Sequence, residues 1–260
     1  MLARDYIADL AAHGRYHFTT DEAVSAIRST RSAVQGQLRR LKARGVIAEP
    51  VRGFNMIVPA EYRSRACLPA EQFIPQLMDL AGEPYYFALL SAAERYGAAH
   101  QRPQVVQVMV QRNRAAIACG QVRVQFIARH DLDRMSVNEV NTPRGVARYS
   151  TPEVTALELV GYPNHAGGIA NVATVLRDLA PEMRAHALAA AARLSPVSWS
   201  QRLGYMLERF AESDLAEALM PFVEEQAQSF TPLRRAAPNA GAGRDATWKL
   251  IVNVDIEPDE

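Results

Sequence analysis

Residues 29–47, STRSAVQGQLRRLKARGVI, set the fold of the N-terminal part of the chain. Three apolar residues recur in this stretch at the spacing of one helical face: Val34, Leu38 and Leu41. This spacing predicts a helix that buries one side, because successive residues turn by about 100° around a helix axis. Four polar residues then fall on the exposed side: Arg31, Ser32, Gln35 and Arg39.

The flanking sequence predicts two helices before this one and a β-hairpin after it. Thr19 and Glu22 have the spacing of a capping box, which marks the start of the second helix. The third helix ends at Gly45. Residues 46–58, VIAEPVRGFNMIV, predict two short strands joined by a turn that ends at Gly53. Three helices followed by a hairpin are the plan of a winged helix-turn-helix.

The third helix and the hairpin carry the residue types that bind DNA. Arginine pairs with guanine, glutamine with adenine, and serine with either a base or a phosphate. Seven basic side chains and one acidic side chain, Glu49, lie between residues 28 and 56. If six of these basic groups contact phosphates, the log–log salt slope of the affinity is about −5. The residues predicted to contact DNA are Thr30, Arg31, Ser32, Gln35, Arg39, Arg40, Lys42, Arg44 and, at the tip of the wing, Arg52.

Two alternatives to DNA contact stay open for the third helix. Basic residues on an exposed helix are commonly only solvated, and winged helices also serve protein contacts. Gly36 interrupts the helix, where glycine costs about 1 kcal/mol relative to alanine. Such a glycine permits either close packing or close approach of DNA, and we expect packing.

Composition and charge restrict the class of protein. The chain has 260 residues, of which 48% are hydrophobic and 22% are charged, values typical of one or two globular domains rather than of disorder.

Residues 1–65 hold 11 basic and 6 acidic side chains, a net charge of +5, so the whole-chain charge of +1 leaves −4 for the rest. A polyanion is therefore expected to meet the N-terminal domain. The sequence has no bilayer-spanning apolar run and no secretion signal, which predicts a cytoplasmic protein without membrane contact.

The remainder of the chain predicts a second domain that mixes helices and strands. Residues 84–101, PYYFALLSAAERYGAAHQ, have the pattern of an amphipathic helix. Strands are predicted at residues 105–111, 122–128, 137–140 and 146–149. Thr151 and Pro152 begin a helix, and four more helices run from 168 to 226. Residues 248–256, WKLIVNVDI, predict a strand that returns to the sheet after a mobile loop.

The predicted fold class is α+β, with an N-terminal winged helix-turn-helix followed by a mixed α/β C-terminal domain. The predicted boundaries give the winged helix residues 1–59, a connecting segment residues 60–84, and the C-terminal domain residues 85–260.

Five segments of the sequence, taken in order, resemble the AbiEi family of antitoxins from bacterial toxin–antitoxin pairs. They are YYFALLSAAERYG (85–97), RVQFIARHD (123–131), VARYSTPEVTALELV (146–160), NHAGGIANVATVLRDL (164–179) and QRLGYMLE (201–208). Each segment alone has low specificity, so the resemblance depends on their succession behind a winged helix.

The resemblance implies a protein with two activities. Its winged helix would repress its own operon, with Arg31–Arg44 as the recognition helix, the hairpin around Arg52 as the wing, and inverted repeats as the operator. Its C-terminal antitoxin domain would counteract a nucleotidyltransferase-type toxin encoded beside it. Many pairs of this family act without a direct complex, and four manners of neutralisation stay open: competition for substrate, reversal of the toxin's chemistry, modification of the toxin and a transient contact. Phage defence is the biological setting that the family implies.

The sequence does not predict a catalytic, metal or cofactor site, and we expect a protein that is not an enzyme. Cys67 and Cys119 lack metal-ligand spacing and are expected to be buried free thiols. The six histidines are scattered through the chain: His13, His17, His100, His130, His165 and His186. Two other functions stay open, namely a winged-helix regulator that senses a small ligand and a second domain that is itself an enzyme acting on nucleic acid.

Overall fold

The computed structural model describes residues 1–99, 103–211 and 213–256. Contacts divide the chain into two compact units that alternate along the sequence. Unit 1 comprises Met1–Tyr85, Gln104–His130 and Glu139–Arg148, and unit 2 comprises Tyr86–Pro103, Asp131–Asn138 and Tyr149–Glu260. The elements are a mixture of helices and strands, which confirms the predicted α+β class.

The N-terminal part of unit 1 has the order of elements of a winged helix. Its elements are α1 (Ala3–Ala12), β1 (His17–Thr19), α2 (Thr20–Ile27), α3 (Arg31–Ala43), β2 (Ile47–Val51) and β3 (Phe54–Ile57). The strands lie in the order β1-β3-β2, and both neighbouring pairs are antiparallel. The sequence did not reveal β1, because its three residues are too few to show an alternating pattern.

Local sequence signals explain where α2 and α3 begin and which faces they bury. The predicted capping box is present, since the Thr19 hydroxyl accepts from the backbone N–H of Glu22 at 3.1 Å and the Glu22 carboxylate accepts from that of Thr19 at 2.6 Å. The apolar stripe of α3 is also confirmed, with Val34, Leu38 and Leu41 exposed by 0%, 3% and 9%. This stripe joins a core that α1, α2, β1, β2 and β3 complete.

The predicted helix at residues 84–101 is wrong in its first part. Tyr85–Phe87 form strand β4, and the helix is shorter, α5 at Leu89–Arg95; it follows α4 at Ile74–Ala81. The three aromatic residues favour extended backbone, and all three are buried. Residues 100 and 101 of the predicted helix lie outside the described residues.

The predicted strands in the middle of the chain are confirmed, with one addition. They are β5 (Val106–Val110), β6 (Ile117–Cys119), β7 (Val122–Ala128), β8 (Val137–Thr142) and β9 (Gly145–Ser150). The addition is β6, another strand of three residues. In unit 1 the order is β6-β7-β5, with β5 parallel and β6 antiparallel to β7. Strands β4, β9 and β8 lie side by side in that order, and Phe87 pairs in parallel with Tyr149.

The helices of unit 2 follow the predicted series. They are α6 (Pro152–Gly161), α7 (Ile169–Leu179), α8 (Ala185–Ala192), α9 (Val197–Phe210) and α10 (Ser213–Gln226). Thr151 caps α6 as predicted, because its hydroxyl accepts from the backbone N–H of Val154 at 3.4 Å. Pro152 occupies the first turn, where a missing N–H leaves no hydrogen bond unmade.

The C-terminal strand does not pair with any of strands β4 to β9, so the prediction that it returns to their sheet is wrong. Strands β10 (Thr231–Pro232), β11 (Gly243–Asp245) and β12 (Leu250–Val252) form a small sheet of their own in the order β10-β12-β11. The segment predicted as a mobile loop therefore supplies both partners of β12. Residues 257–260, which include the end of the acidic tail, lie outside the described residues.

Trp248 fixes the C-terminal segment to α9 within unit 2. The indole is fully buried, and its Nε1 donates to the Glu208 carboxylate at 2.7 Å. Gln201 is also buried, and its side-chain amide donates to the carbonyls of Trp248 at 3.1 Å and Lys249 at 2.9 Å. Gly204 leaves room for the ring, since a Cβ there would stand 2.0 Å from Cζ3 of Trp248.

The turn between β8 and β9 is held by Arg144, which is part of unit 1. Its guanidinium carbon lies 3.6 Å from the ring centroid of Tyr16, a cation–π contact. Its Nε donates to the Gln72 side chain at 2.8 Å, and its carbonyl accepts from the Gln76 amide. Residues near position 144 therefore pack on the winged helix in spite of their distance in sequence.

Candidate nucleic-acid interface

The start of α3 is fixed by Thr30, one of the residues predicted to contact DNA. Thr30 precedes the helix in extended backbone, and its hydroxyl accepts from the backbone N–H of Ala33 at 3.3 Å. This hydrogen bond satisfies one of the N–H groups that a helix start leaves without a partner. Thr30 therefore has a structural role that does not depend on DNA.

A cleft of about 440 Å³ lies between α3 and the hairpin of β2 and β3, which forms the wing. Six of the predicted DNA-contacting residues line this cleft: Arg31, Ser32, Gln35, Arg39, Lys42 and Arg52. The helical pattern explains why four of them share a face, and the two-residue turn at Arg52-Gly53 explains why the wing tip joins them. The arrangement brings hydrogen-bond donors and positive charge to one concave surface.

Two of the predicted residues, Arg40 and Arg44, lie at a different surface. They line a separate cleft of about 280 Å³ with Arg4 and the start of α1. Arg40 follows Arg39 by one residue, and one residue corresponds to about 100° of rotation around the helix. The sequence analysis predicted DNA contact for every basic residue of α3, but these residues lie on two different sides of the helix.

Lys42 lines the cleft but is engaged in an ion pair. Its ammonium contacts the carboxylate of Glu49, which also accepts from the backbone N–H of Gly53 at 2.8 Å. Burial by itself would raise the pKa of Glu49, but the hydrogen bonds from Lys42 and Gly53 outweigh it and hold this pKa below its ordinary value. The pair connects α3 to the wing turn and partly neutralises Lys42.

Arg31 forms an exposed ion pair that leaves its guanidinium accessible to a ligand. Its guanidinium contacts the Asp21 carboxylate at 2.5 Å, and the two side chains are 60% and 75% exposed. Ion pairs between side chains as exposed as these contribute little to stability. Arg31 could therefore leave Asp21 and bind a phosphate group with only a small loss of folding free energy. Arg39 and Arg52 are exposed as well, and neither forms an ion pair within the described part of the chain.

Gly36 and Asn55 line the same cleft and were not among the predicted site residues. A Cβ at Gly36 would have no atom within 4 Å outside its own helix, so the expectation that Gly36 serves close packing is wrong. Asn55 is 1% exposed, and its amide donates to the Thr20 hydroxyl at 3.1 Å. An asparagine in the otherwise apolar strand FNMI was the sequence signal for the second residue.

The two cysteines agree with the prediction of buried free thiols. They also contact each other, and the hydrogen bond to Cys119, together with burial, raises the pKa of the Cys67 thiol.

Among residues 1–99, 103–211 and 213–256, no group of three or more His, Cys, Asp or Glu side chains could hold a metal ion. His100 lies outside these residues. Within the same ranges, no helix is long and apolar enough to cross a membrane.

Comparison with known proteins extends these observations. Residues 86–209 match the family model of the AbiEi antitoxin C-terminal domain. The RV2827C protein from Mycobacterium tuberculosis, known from a crystal structure, has a similar fold, with a TM-score of 0.64 and 17% sequence identity over 95% of this chain and 90% of that chain. Similarity at this level of identity concerns the fold alone. Comparison with curated proteins gives no match.

The fold and the cleft define a protein whose N-terminal part has the order of elements of a winged helix and whose remainder is a further α+β region. That region, residues 86–209, matches the model of the AbiEi antitoxin C-terminal domain, which confirms the resemblance seen in the sequence.

Proposed function

We propose that this protein is the antitoxin and autorepressor of a bacterial toxin–antitoxin operon. The winged helix binds operator DNA, and the C-terminal domain counteracts a toxin of the nucleotidyltransferase type that is encoded beside it. The protein is not an enzyme, and it acts in the cytoplasm, where both its operator and its toxin are found.

The observation that carries the DNA-binding part is the cleft between α3 and the wing. The major groove of B-DNA, about 12 Å wide, admits an α-helix, so α3 enters the groove with the side that bears Arg31, Gln35 and Arg39. Arg52 at the wing tip then lies where a phosphate or the adjacent minor groove would be. An operator of inverted repeats would take two copies of the protein, because each copy reads one half-site.

The antitoxin part is supported by the family match over residues 86–209. It predicts protection of a cell against the neighbouring toxin. The manner of protection in this proposal is functional antagonism without a stable complex between the two proteins.

Operator binding is tested by titrating a labelled fragment of the native promoter with the full chain at several salt concentrations. We expect a saturable complex whose log–log salt slope is about −5 if six basic groups contact phosphates. Arg39→Ala and Arg31→Ala should each weaken operator affinity by about 1–3 kcal/mol if the side chain reads a base.

Arg63→Ala is the matched control, because Arg63 is an exposed arginine of unit 1 that does not line the cleft. It should bind the promoter like the unaltered protein. If both the Arg31 and the Arg39 variants bind the promoter normally, this side of α3 does not contact the bases. If no salt-sensitive complex forms, the protein does not bind this DNA.

Antitoxin activity is tested by producing the full chain together with the nucleotidyltransferase encoded next to it and measuring growth. We expect the chain to restore growth, and the Arg39→Ala variant to do so equally well when an unrelated promoter drives it. Promoter binding without any rescue of growth would instead favour a winged-helix regulator that senses a small ligand.

A further inference from the structure

Arg202 in α9 is a buried cation whose hydrogen bonds are incomplete. Its side chain is 3% exposed, and its Nε donates to the carbonyl of Pro232 at 3.1 Å. Its Nη2 is buried and has no hydrogen-bond partner within the described part of the chain. A buried guanidinium is costly unless its charge and its N–H groups are satisfied, so this arrangement calls for a partner.

The surroundings of Arg202 add positive charge instead of removing it. Arg202 lines a cavity of about 250 Å³ in unit 2 together with Arg234 and Arg235, and none of the lining residues is acidic. Burial, and then the charge of Arg235, lower the pKa of Arg202 to about 10. The guanidinium therefore stays charged at neutral pH, and like charges face one another around one cavity.

A purely structural role accounts for only part of this arrangement. The bond from Nε to Pro232 fixes strand β10 to α9, and one donor is enough for that purpose. It does not explain why Arg234 and Arg235, both exposed, lie at the same cavity as a buried arginine. Repulsion between like charges disfavours such a cluster unless an anion shares it.

We propose that this cavity binds the phosphate group of a small ligand, with Arg202 at its base and Arg234 and Arg235 at its rim. A phosphate oxygen accepts from the Arg202 guanidinium, and guanidinium groups match the geometry of phosphate oxygens in pairs. A cavity of about 250 Å³ suits inorganic phosphate or a compact phosphate ester. Tyr162, Pro163 and Leu233 provide its less polar walls.

The site goes beyond the proposed repressor and antitoxin activities and does not depend on either. Arg202 lies inside the matched AbiEi region, which ends at residue 209, whereas Arg234 and Arg235 lie outside it. The cavity therefore combines residues of the matched region with residues of the segment that follows.

The test uses the full chain, with thermal unfolding and calorimetry at constant ionic strength set by chloride. The probes are inorganic phosphate and adenosine monophosphate. We expect a saturable rise of the unfolding temperature, and the Arg234→Ala and Arg235→Ala variants should each raise the dissociation constant about tenfold or more. These two side chains are exposed, so their removal leaves the fold intact even if an Arg202→Gln variant fails to fold.

Arg184→Ala is the control, because Arg184 is an exposed arginine of unit 2 that does not line the cavity. Similar affinity for both probes would assign the site to the phosphate group alone, and tighter binding of adenosine monophosphate would assign it to a nucleotide. The absence of a saturable response to either probe would overturn the proposal and leave Arg202 as a hydrated structural residue. Equal binding by the unaltered chain and a variant lacking both Arg234 and Arg235 would overturn it as well.

Discussion

Helices α3 and α9 are similar in length, 13 and 14 residues, and each has a glycine in its interior, but they place their polar residues in opposite ways. On α3 the arginines outside the buried apolar stripe face solvent: Arg31, Arg39 and Arg40. On α9 three consecutive polar residues are exposed by 3% or less: Ser200, Gln201 and Arg202.

The difference shows that the position of a charged residue in a helical sequence pattern does not predict whether its side chain is exposed or buried. The exposed arginines of α3 need no partner inside the protein, so they remain available to a polyanion. The buried polar residues of α9 need partners inside the protein or in a ligand. Gln201 donates to backbone carbonyls of the C-terminal segment, whereas Ser200 Oγ and Arg202 Nη2 have no hydrogen-bond partner within the described part of the chain. One helix therefore presents its polar groups outward, and the other uses them to hold the fold together.

The largest expected change in stability comes from substituting Gly204, the interior glycine of α9. Gly204→Ala should destabilise the protein by about 3 kcal/mol, because the added methyl group would overlap the buried ring of Trp248 and force the backbone apart. The measurement is the midpoint of chemical unfolding, followed by tryptophan fluorescence.

A second substitution shows whether the overlap is the cause. In a double-mutant cycle with Trp248→Phe, the smaller ring should recover part of the loss, so that the two substitutions are not additive. Strict additivity would mean that Gly204 is required for another reason.

A smaller effect is expected at the link between α3 and the wing. Glu49→Gln should destabilise the protein by about 1.5 kcal/mol near neutral pH, because it removes the charge that holds Lys42 and the Gly53 N–H. The folded-state pKa of Glu49 lies below its ordinary value of 4.5. Its stabilising contribution is therefore present above pH 4.5 and disappears as the pH falls through the lower folded-state value.

Unfolding of the two proteins should be compared at neutral pH and at about pH 3, where the difference should shrink. Glu61→Gln serves as the control, since that side chain is 63% exposed and lies 4.0 Å from its nearest cation. A difference between the Glu49 variant and the unaltered protein that stays constant with pH would exclude the ion pair as its source.

The smallest expected effect has the opposite sign. Gly36→Ala should stabilise the protein by about 1 kcal/mol, because alanine favours a helix and the added methyl group meets open space. The same methyl group projects into the cleft, so operator affinity should fall if DNA approaches α3 closely. Both quantities can be measured on one preparation, by thermal unfolding and by promoter titration.

Ala33→Gly is the matched control, because Ala33 is exposed on α3 and does not line the cleft. It should lower stability by a similar amount and leave operator affinity unchanged. Unchanged affinity in the Gly36→Ala variant would mean that DNA does not come near the helix at this position.

The sequence predicted best the elements whose signals are local. The Thr19–Glu22 box and the stripe on α3 depend on residues three and four positions apart, and the structure has both. Strand β4 was missed because its pairing with β9 is a distant contact that no local pattern contains. The same reason explains the error for β12, whose partners come from a segment rich in turn-forming residues.

The candidate site was predictable to a similar degree. Helical periodicity identified Ser32 and Gln35, because exposure on an amphipathic helix follows from angle alone. It did not separate Arg40 from the residues that line the cleft, because basic residues were selected by charge without regard to their angle around the helix. The phosphate cavity at Arg202 could not be foreseen, because a helical arginine is expected in water and its burial depends on the distant segment around Pro232.

The stacking of Arg144 on Tyr16 has a consequence for experiments with fragments. A piece of the protein that ends at residue 59 or 84 would lose Arg144, and the face of the Tyr16 ring would then meet solvent. In the longer piece the side-chain amides of Gln72 and Gln76 would also lose their contacts with Arg144. Weak operator binding by such a fragment would report the loss of this support and not the affinity of α3. Tests of the two proposed activities are therefore better done with point variants of the intact polypeptide than with its halves.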